Sequence, residues 1–543
     1  MENRSILELD DYFLIRLLVH LKSTDPTRCA ERLSSTCRRV RELSMPVLFS
    51  RIRQNLNASD ASYPIPNTLW PYIKTIKLRC NCVDGDLTVP YWQSYEPQDS
   101  DVICGALANP TLHHALHSMP HLSAVIVCPV ESHAFGHSLS WETLCSLLSL
   151  PQLNRLVLDH VHMCSRPPDA TSLQRQPSTP LSCLEYLLPS IRSQYSRPSE
   201  IEAVDRLLRL LHLSLETLSL PTEPASMDTI ALLDWPHLRE LKLRGLHWTS
   251  PHLPIVSLFA NMPNLRVLSL ELMEQEGASA TALWPQGFPA PYPWPYLESL
   301  SVSHPDPDDK IYAHLPPMLQ TLMLRPWPHQ CIRRWQELNH EPDMLRAYRS
   351  PPSPSSLLRI LRSCYTPHLR KLGIEYCSDG NEVSLLSHIA SNFPRLTSLE
   401  LHRYRLDGDD DIPVLDIARP LASLSDLRIL RMHLDFPEMP GPMLDRYSGD
   451  SYFWSLNNPE NLEQRLHAAS VTFAQMLSPS LQQVWHFVYK YFQLHWCIYD
   501  VDRTMVDGVV GTRVHPLGNV VYETQVSRCP LAPPHVLICS QWR

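Results

Sequence analysis

The chain has 543 residues, 44% of them apolar and 19% charged, and a net charge of −9 at pH 7. That balance excludes a disordered chain and argues against nucleic acid as the main partner, because phosphate binding needs a concentrated basic surface. Proline numbers 51 against 14 glycines, which excludes collagen and flexible linkers, so proline serves as punctuation between elements. No apolar run reaches the roughly 18 residues of a membrane span, and MENRSILELDDYF at the N-terminus is acidic where a signal peptide is basic. The 15 cysteines are scattered without a repeated spacing and read as reduced, small apolar residues of an intracellular protein, cytoplasmic or nuclear.

The first predicted element is a helix over LELDDYFLIRLLVHL, residues 7–21. Asp10 and Asp11 suit its N-cap, and Phe13, Leu14, Leu17, Leu18 and Leu21 form one apolar stripe. A turn at Ser23–Asp25–Pro26 leads to a second helix in which Ala30, Leu33, Cys37 and Val40 recur at helical spacing, and Met45–Pro46 is expected to end it. A helical hairpin this small has little core of its own and needs a partner or a neighbouring domain. Residues 1–55 resemble the F-box family, a three-helix module: Leu9, Phe13, Leu14, Leu17 and Leu21 match its first helix, Cys37, Arg38 and Arg39 its second signature, and MPVLFSRI its ending. Asp10 stands where that family commonly has proline, and Val40 where it often has tryptophan. The pattern alone also fits a helical cap over the following domain.

From residue 56 a different pattern repeats. Proline, any residue, an apolar anchor, then apolar residues three and five places on, begins at Pro71, Pro120, Pro151, Pro236, Pro263, Pro295, Pro317, Pro367, Pro394 and, more weakly, Pro479. Copies without the proline are read at Leu184, Leu215 and Leu427. In WPHLRELKL, Leu241 and Leu243 lie two apart and share one strand face, Glu240, Lys242 and Arg244 take the other, and Leu238 anchors the entering turn. Helical patterns fill the intervals at 201–213, 252–262, 355–365 and 382–393. A strand and a helix in each interval predicts parallel strands with right-handed helical returns, stacked because no unit buries its apolar face alone. Strand spacing near 4.8 Å against helix spacing near 10 Å bends such a stack into a horseshoe with strands inside.

This resembles the leucine-rich-repeat family, whose pattern LxxLxLxxN/C reads Ile73–Ile76–Leu78–Asn81 and Leu369–Leu372–Ile374–Cys377 here. Most copies depart at the last position (Leu246, Met273, Tyr404, Asp435), so no continuous asparagine ladder forms. The expected fold class is therefore α/β, a leucine-rich-repeat solenoid over 56–483 behind a small all-α module. Gaps after the copies at Ile73, Leu319 and Leu427 predict degenerate rungs or inserted loops, and the Pro/Ser-rich stretches 165–182, 277–295 and 348–356 are read as loops. The aromatic run VWHFVYKYFQLHWCIYDVD opens a C-terminal cap and tail, 484–543.

No catalytic motif stands out. His113 and His117, the run HVHMC at 160–164, and Cys80 with Cys82 lack zinc-site spacing, and LDGDDDIP at 406–413 lacks the register of a calcium loop. There is no P-loop, GxGxxG or GxSxG, so no cofactor, metal or enzymatic role is expected. The F-box resemblance implies a substrate receptor of an SCF-type ubiquitin ligase, docking through Leu9, Phe13, Leu14, Leu17, Leu21 and Val40 on a Skp-type adaptor held by a cullin. Catalysis then belongs to other subunits and works by proximity. The target protein, whose identity is not written in the sequence, is expected on outward strand positions: Lys77, Arg79, Lys242, Arg244, Glu271, Arg325, Lys371, Glu375, Glu400, His402, Arg431 and His433. A repeat scaffold without a ligase connection is the alternative, and an enzyme with an unrecognised site a third.

Overall fold

A computed structural model of the chain describes residues 10–24, 29–57, 65–80, 104–129, 138–163, 181–188, 198–248, 253–274, 282–289, 291–331, 350–406, 411–439, 459–490, 493–506 and 509–521. They fall into two compact units, the first up to Thr217 and the second from Leu218 to Val521.

The first unit begins with three helices, α1 (Asp11–Thr24), α2 (Cys29–Ser34) and α3 (Arg38–Leu48). The Asp10 carboxylate caps α1 by accepting from the Tyr12 amide at 2.7 Å. Arg39 on α3 donates to Asp11 at 3.0 Å, and the Lys22 ammonium donates to the Leu48 carbonyl at 3.0 Å, tying α1 to α3 at both ends. Leu14, Leu18, Ala30 and Val40 form the interior between them. The second helix of the sequence reading is thus two helices, and α3 runs through Pro46 instead of ending there. Pro46 lies in the last turn, where the Phe49 amide still bonds the Met45 carbonyl at 3.0 Å.

Residues 51–55, assigned to the helical module by sequence, start the sheet. Strands β1 (Arg51–Leu56), β2 (Thr75–Cys80), β3 (Ala124–Pro129), β5 (Arg155–Asp159) and β7 (Cys183–Leu187) lie side by side and parallel, with β4 (Ser138–Leu139) and β6 (His162–Met163) as a separate pair. Their register aligns Ile52, Ile76, Val125, Leu156 and Leu184 in one row. Leu184 therefore holds the second position of its copy, not the first. The anchor is Leu181, fully buried, and it follows Pro180.

The second unit holds β8 (Thr217–Pro221) but for its first residue, then β9 (Glu240–Leu246), β10 (Val267–Met273), β11 (Ser299–Val302), β12 (Thr321–Leu324), β13 (Lys371–Cys377), β14 (Ser398–Tyr404), β15 (Ile429–Leu434) and β16 (Gln483–Lys490), each beside the next. From β9 to β16 the pairs are parallel and in register, which aligns Leu241, Leu268, Leu300, Leu322, Leu372, Leu399, Leu430 and Val484 across eight strands. All eight are buried, as are the anchors Leu238, Leu265, Leu297, Leu319, Leu369, Leu396, Leu427 and Leu481. Helices Pro354–Ser363, Glu382–Asn392, Val414–Leu421 and Pro459–Met476 pack each on the next, and their apolar residues, such as Leu357, Leu361, Leu385 and Ile389, join the same core.

The long gaps after Ile73, Leu319 and Leu427 are insertions, because β2 pairs directly with β3, β12 with β13 and β15 with β16. The C-terminal cap also starts later than expected. Strand β16 is the last parallel rung, and the cap proper is the antiparallel hairpin β17 (Gln493–Val506) and β18 (Val509–Val521) beside it. Among the described residues no helix is long and apolar enough to cross a membrane.

Candidate functional site

Strand alternation in the second unit sends every second side chain away from the leucine core. On β9 and β10 this brings Arg244 against Glu271, an ion pair between neighbouring strands. Three strands further, Arg325 follows β12 and reaches Glu400 on β14. The strand between them presents Gly373, over which Met323 lies so closely that a Cβ there would collide with its sulfur. Arg431 on β15 is 3.9 Å from the same Glu400 carboxylate, and its guanidinium lies over the Trp485 ring at 4.6 Å.

The residues after β12 then fold back across β13 and β14 as a strap, 325–331. His329 Nδ1 meets Glu375 Oε2 at 2.5 Å. The Gln330 amide donates to Glu375 Oε1 at 2.7 Å, the Tyr404 hydroxyl donates to that same oxygen at 3.1 Å, and the Cys331 amide donates to the Tyr404 oxygen at 3.1 Å. The His329 and His402 rings stack face to face, 4.2 Å apart and 4° from parallel. His402 Nε2 is 3.1 Å from Glu400 Oε1, while its Nδ1 is buried with no hydrogen-bond partner. Phe487 from β16 sits edge-on to both rings at 5.4 Å, Trp496 from β17 packs on Phe487, and His433 Nδ1 donates to the Phe487 carbonyl at 3.0 Å.

This enclosure shifts proton affinities. Burial alone would raise Glu375, but the imidazoles of His329 and His402 hold its carboxyl at about 2. Glu400 is lowered likewise against burial by Arg325 and His402. Burial first, then His329, lowers His402, and burial followed by His402 lowers His433.

Of the outward positions singled out by sequence, the structure gathers Arg325, Glu375, Glu400, His402, Arg431 and His433 into this one network, with Arg244 and Glu271 beside it. Expected on a solvent-facing wall, Glu375, Glu400, His402 and His433 are instead buried beneath the strap and the C-terminal strands. Lys242 and Lys371 stay exposed, and Lys77 and Arg79 lie half-buried on β2 in the first unit. Of the docking residues, Leu14 and Val40 are sealed inside the helical module, Leu17 and Leu21 are half-buried and Phe13 is exposed. Leu9 lies outside the described residues. Sequence reasoning missed His329, which sits in the loop PWPHQC with no periodic signal. The scattered histidines have ordinary partners: His113 with Ser146 at 2.8 Å, His160 with Asp159 at 2.7 Å and His162 with Glu200 at 3.2 Å.

No protein-family model matches the chain, and no curated protein matches it. Among solved structures it is similar to the leucine-rich repeat-containing protein LegL7 from Legionella pneumophila, at 11% identity and a TM-score of 0.27, over 80% of this chain and 90% of that one. It is also similar to a Bacteroides fragilis protein at 11% identity and a TM-score of 0.20, over 62% of each chain. Superpositions this loose carry no argument. The leucine-rich strand-and-helix repeat rests on the in-register rows of buried leucines.

Proposed function

We propose that the chain is a non-catalytic protein-binding subunit whose N-terminal helices dock on a Skp-type adaptor of a cullin-based ubiquitin ligase while the repeats hold a target protein. The observation that carries this reading is the outer face of α1. Tyr12, Ile15 and Val19, at helical spacing, are exposed with Phe13 beside them, although Leu14 and Leu18 already fill the module interior. An apolar stripe left over after the core is satisfied marks an interface. The F-box resemblance, carried on this helix by Phe13, Leu14, Leu17 and Leu21, names its partner class. Exposed Lys242 and Lys371 remain available to a target, whereas the network under the strap organises the face.

The test is capture of a purified Skp-type adaptor by the full chain. Ile15→Asp with Val19→Asp is expected to weaken capture at least a hundredfold and leave the circular dichroism unchanged, since both side chains are exposed. Lys242→Glu is expected to leave it intact. An adaptor that the unmodified chain does not retain would remove the ligase connection and leave the second reading, a repeat scaffold for protein interaction.

A further inference from the structure

We propose that His329, Glu375 and His402 form a binding site for one divalent transition-metal ion of the zinc class. Each offers a donor atom within 4.8 Å of the other two, and all three residues are buried. Two imidazoles and one carboxylate suit zinc, cobalt or iron and not calcium or magnesium, which favour all-oxygen shells.

Two local deficits point to a cation. The first is the charge on Glu375, which is fully buried and whose ion-pair contact among the described residues is with the His329 imidazole, charged only when protonated, and not with a lysine or arginine. A carboxylate so placed needs a positive charge beside it. A metal between Glu375 Oε2 and His329 Nδ1 supplies one. The second is His402 Nδ1, a buried nitrogen without a hydrogen bond, a state that is costly and rare. A metal ion is the missing partner for that atom.

The surroundings are also those of a ligand shell. Glu375 Oε1 is already fixed by the Gln330 amide and the Tyr404 hydroxyl, so Oε2, which faces His329 Nδ1, is the oxygen placed to coordinate. His402 keeps Nε2 against Glu400, itself held by Arg325, so a carboxylate orients the imidazole from behind. As the rings stand, face to face, their nitrogen lone pairs lie in two parallel planes. Capture therefore turns one ring so that the two nitrogens converge, and widens the 2.5 Å Nδ1–Oε2 contact to the roughly 3 Å that separates ligands about 2.0 Å from one ion. Since His329 comes from the strap and the other two ligands from β13 and β14, the ion clamps the strap onto the sheet.

The experiment strips the full chain with a chelator and titrates it with Co²⁺, whose visible absorption reports four-coordinate binding, and then displaces it with Zn²⁺. The expected result is one saturable equivalent, a raised melting temperature, and at least a hundredfold weaker binding in His402→Gln and in His329→Asn. The latter change lies in a loop and spares the sheet. His113→Gln, on a helix of the first unit, is the control and is expected to bind as the unmodified chain does. An unmodified chain that shows no saturable cobalt spectrum overturns the proposal. So does a spectrum that survives His329→Asn, because the ion would then be bound elsewhere among the 26 histidines.

Discussion

His486 is buried between β16 and the helix Pro459–Met476, its Nε2 2.8 Å from the Ser470 hydroxyl. That hydroxyl donates to the Leu466 carbonyl at 2.9 Å, so its oxygen is left to accept from Nε2 and the ring sits there neutral. Burial, followed by the charge His433 would carry, lowers the His486 pKa to about 3. The sign of the consequence follows from linkage. The unfolded chain takes up this proton near pH 6.5 whereas the folded chain refuses it until about pH 3, so stability is undiminished above 6.5 and falls as pH drops through that interval. Urea midpoints are expected to be level from pH 8 to 7 and to decline from 6.5 to 5. His486→Leu, which leaves Ser470 its carbonyl acceptor, is expected to flatten that decline, and parallel profiles for the two proteins would refute the assignment. At this scale the sequence is a partial guide. Alternation along β13 and β14 told which way Glu375, Glu400 and His402 point. It carried no trace of their enclosure, because His329 lies 46 residues from Glu375 and Cys331 lies 73 from Tyr404.

Strands were the most legible elements, since an anchor leucine and two further apolar residues at fixed spacing leave one solution: a short strand with a single buried face. Leu399 shows what that spacing is worth. It is fully buried in the centre of an eight-residue row, between Leu372 and Leu430. Leu399→Ala leaves a cavity that stacked neighbours cannot close and is expected to cost about 3 kcal/mol, whereas Lys371→Ala, exposed on the adjoining strand, is expected to stay within about 0.5 kcal/mol. Equilibrium unfolding of the two variants checks both figures, and equal losses would mean that the row is not the core. Helices were legible where the apolar spacing was long, as over 382–393, and poorly bounded where it was short. The pattern over 252–262 yielded only Ile255–Leu258, and α3 carried on past a proline that sequence rules treat as a stop. Register was the other weak point. Without the neighbouring strand, LSCLEYL offers two leucines three apart with equal claims to be the anchor, and pairing of Leu184 with Leu156 decides for Leu181.

Across the second unit, a parallel run in which each strand pairs with the next resembles a one-dimensional stack, whose stability is a sum of neighbour contacts. In such a stack a lesion is felt by the adjacent rung and little beyond. The strap departs from that rule. Arg325 leaves β12 and pairs with Glu400 on β14, passing over β13, while His329 and Gln330 hold Glu375 on β13 and Cys331 holds Tyr404 on β14. Three strands are thereby fastened by one short segment, which a strand-and-helix pattern in the sequence has no means of announcing. Arg325→Met is the sharpest probe. It keeps much of the side-chain volume but strips Glu400, 5% exposed, of its nearest guanidinium and leaves it Arg431 at 3.9 Å and His402 at 3.1 Å, and removing one partner of a buried ion pair costs about 3 kcal/mol. Hydrogen exchange of the full chain is the measurement that distinguishes the two pictures. If the strap couples the strands, amides of β12, β13 and β14 are expected to lose protection together and by similar factors in the variant. Faster exchange confined to β12 would mean that the contacts across β13 carry no coupling, and that the unit behaves as a simple stack after all.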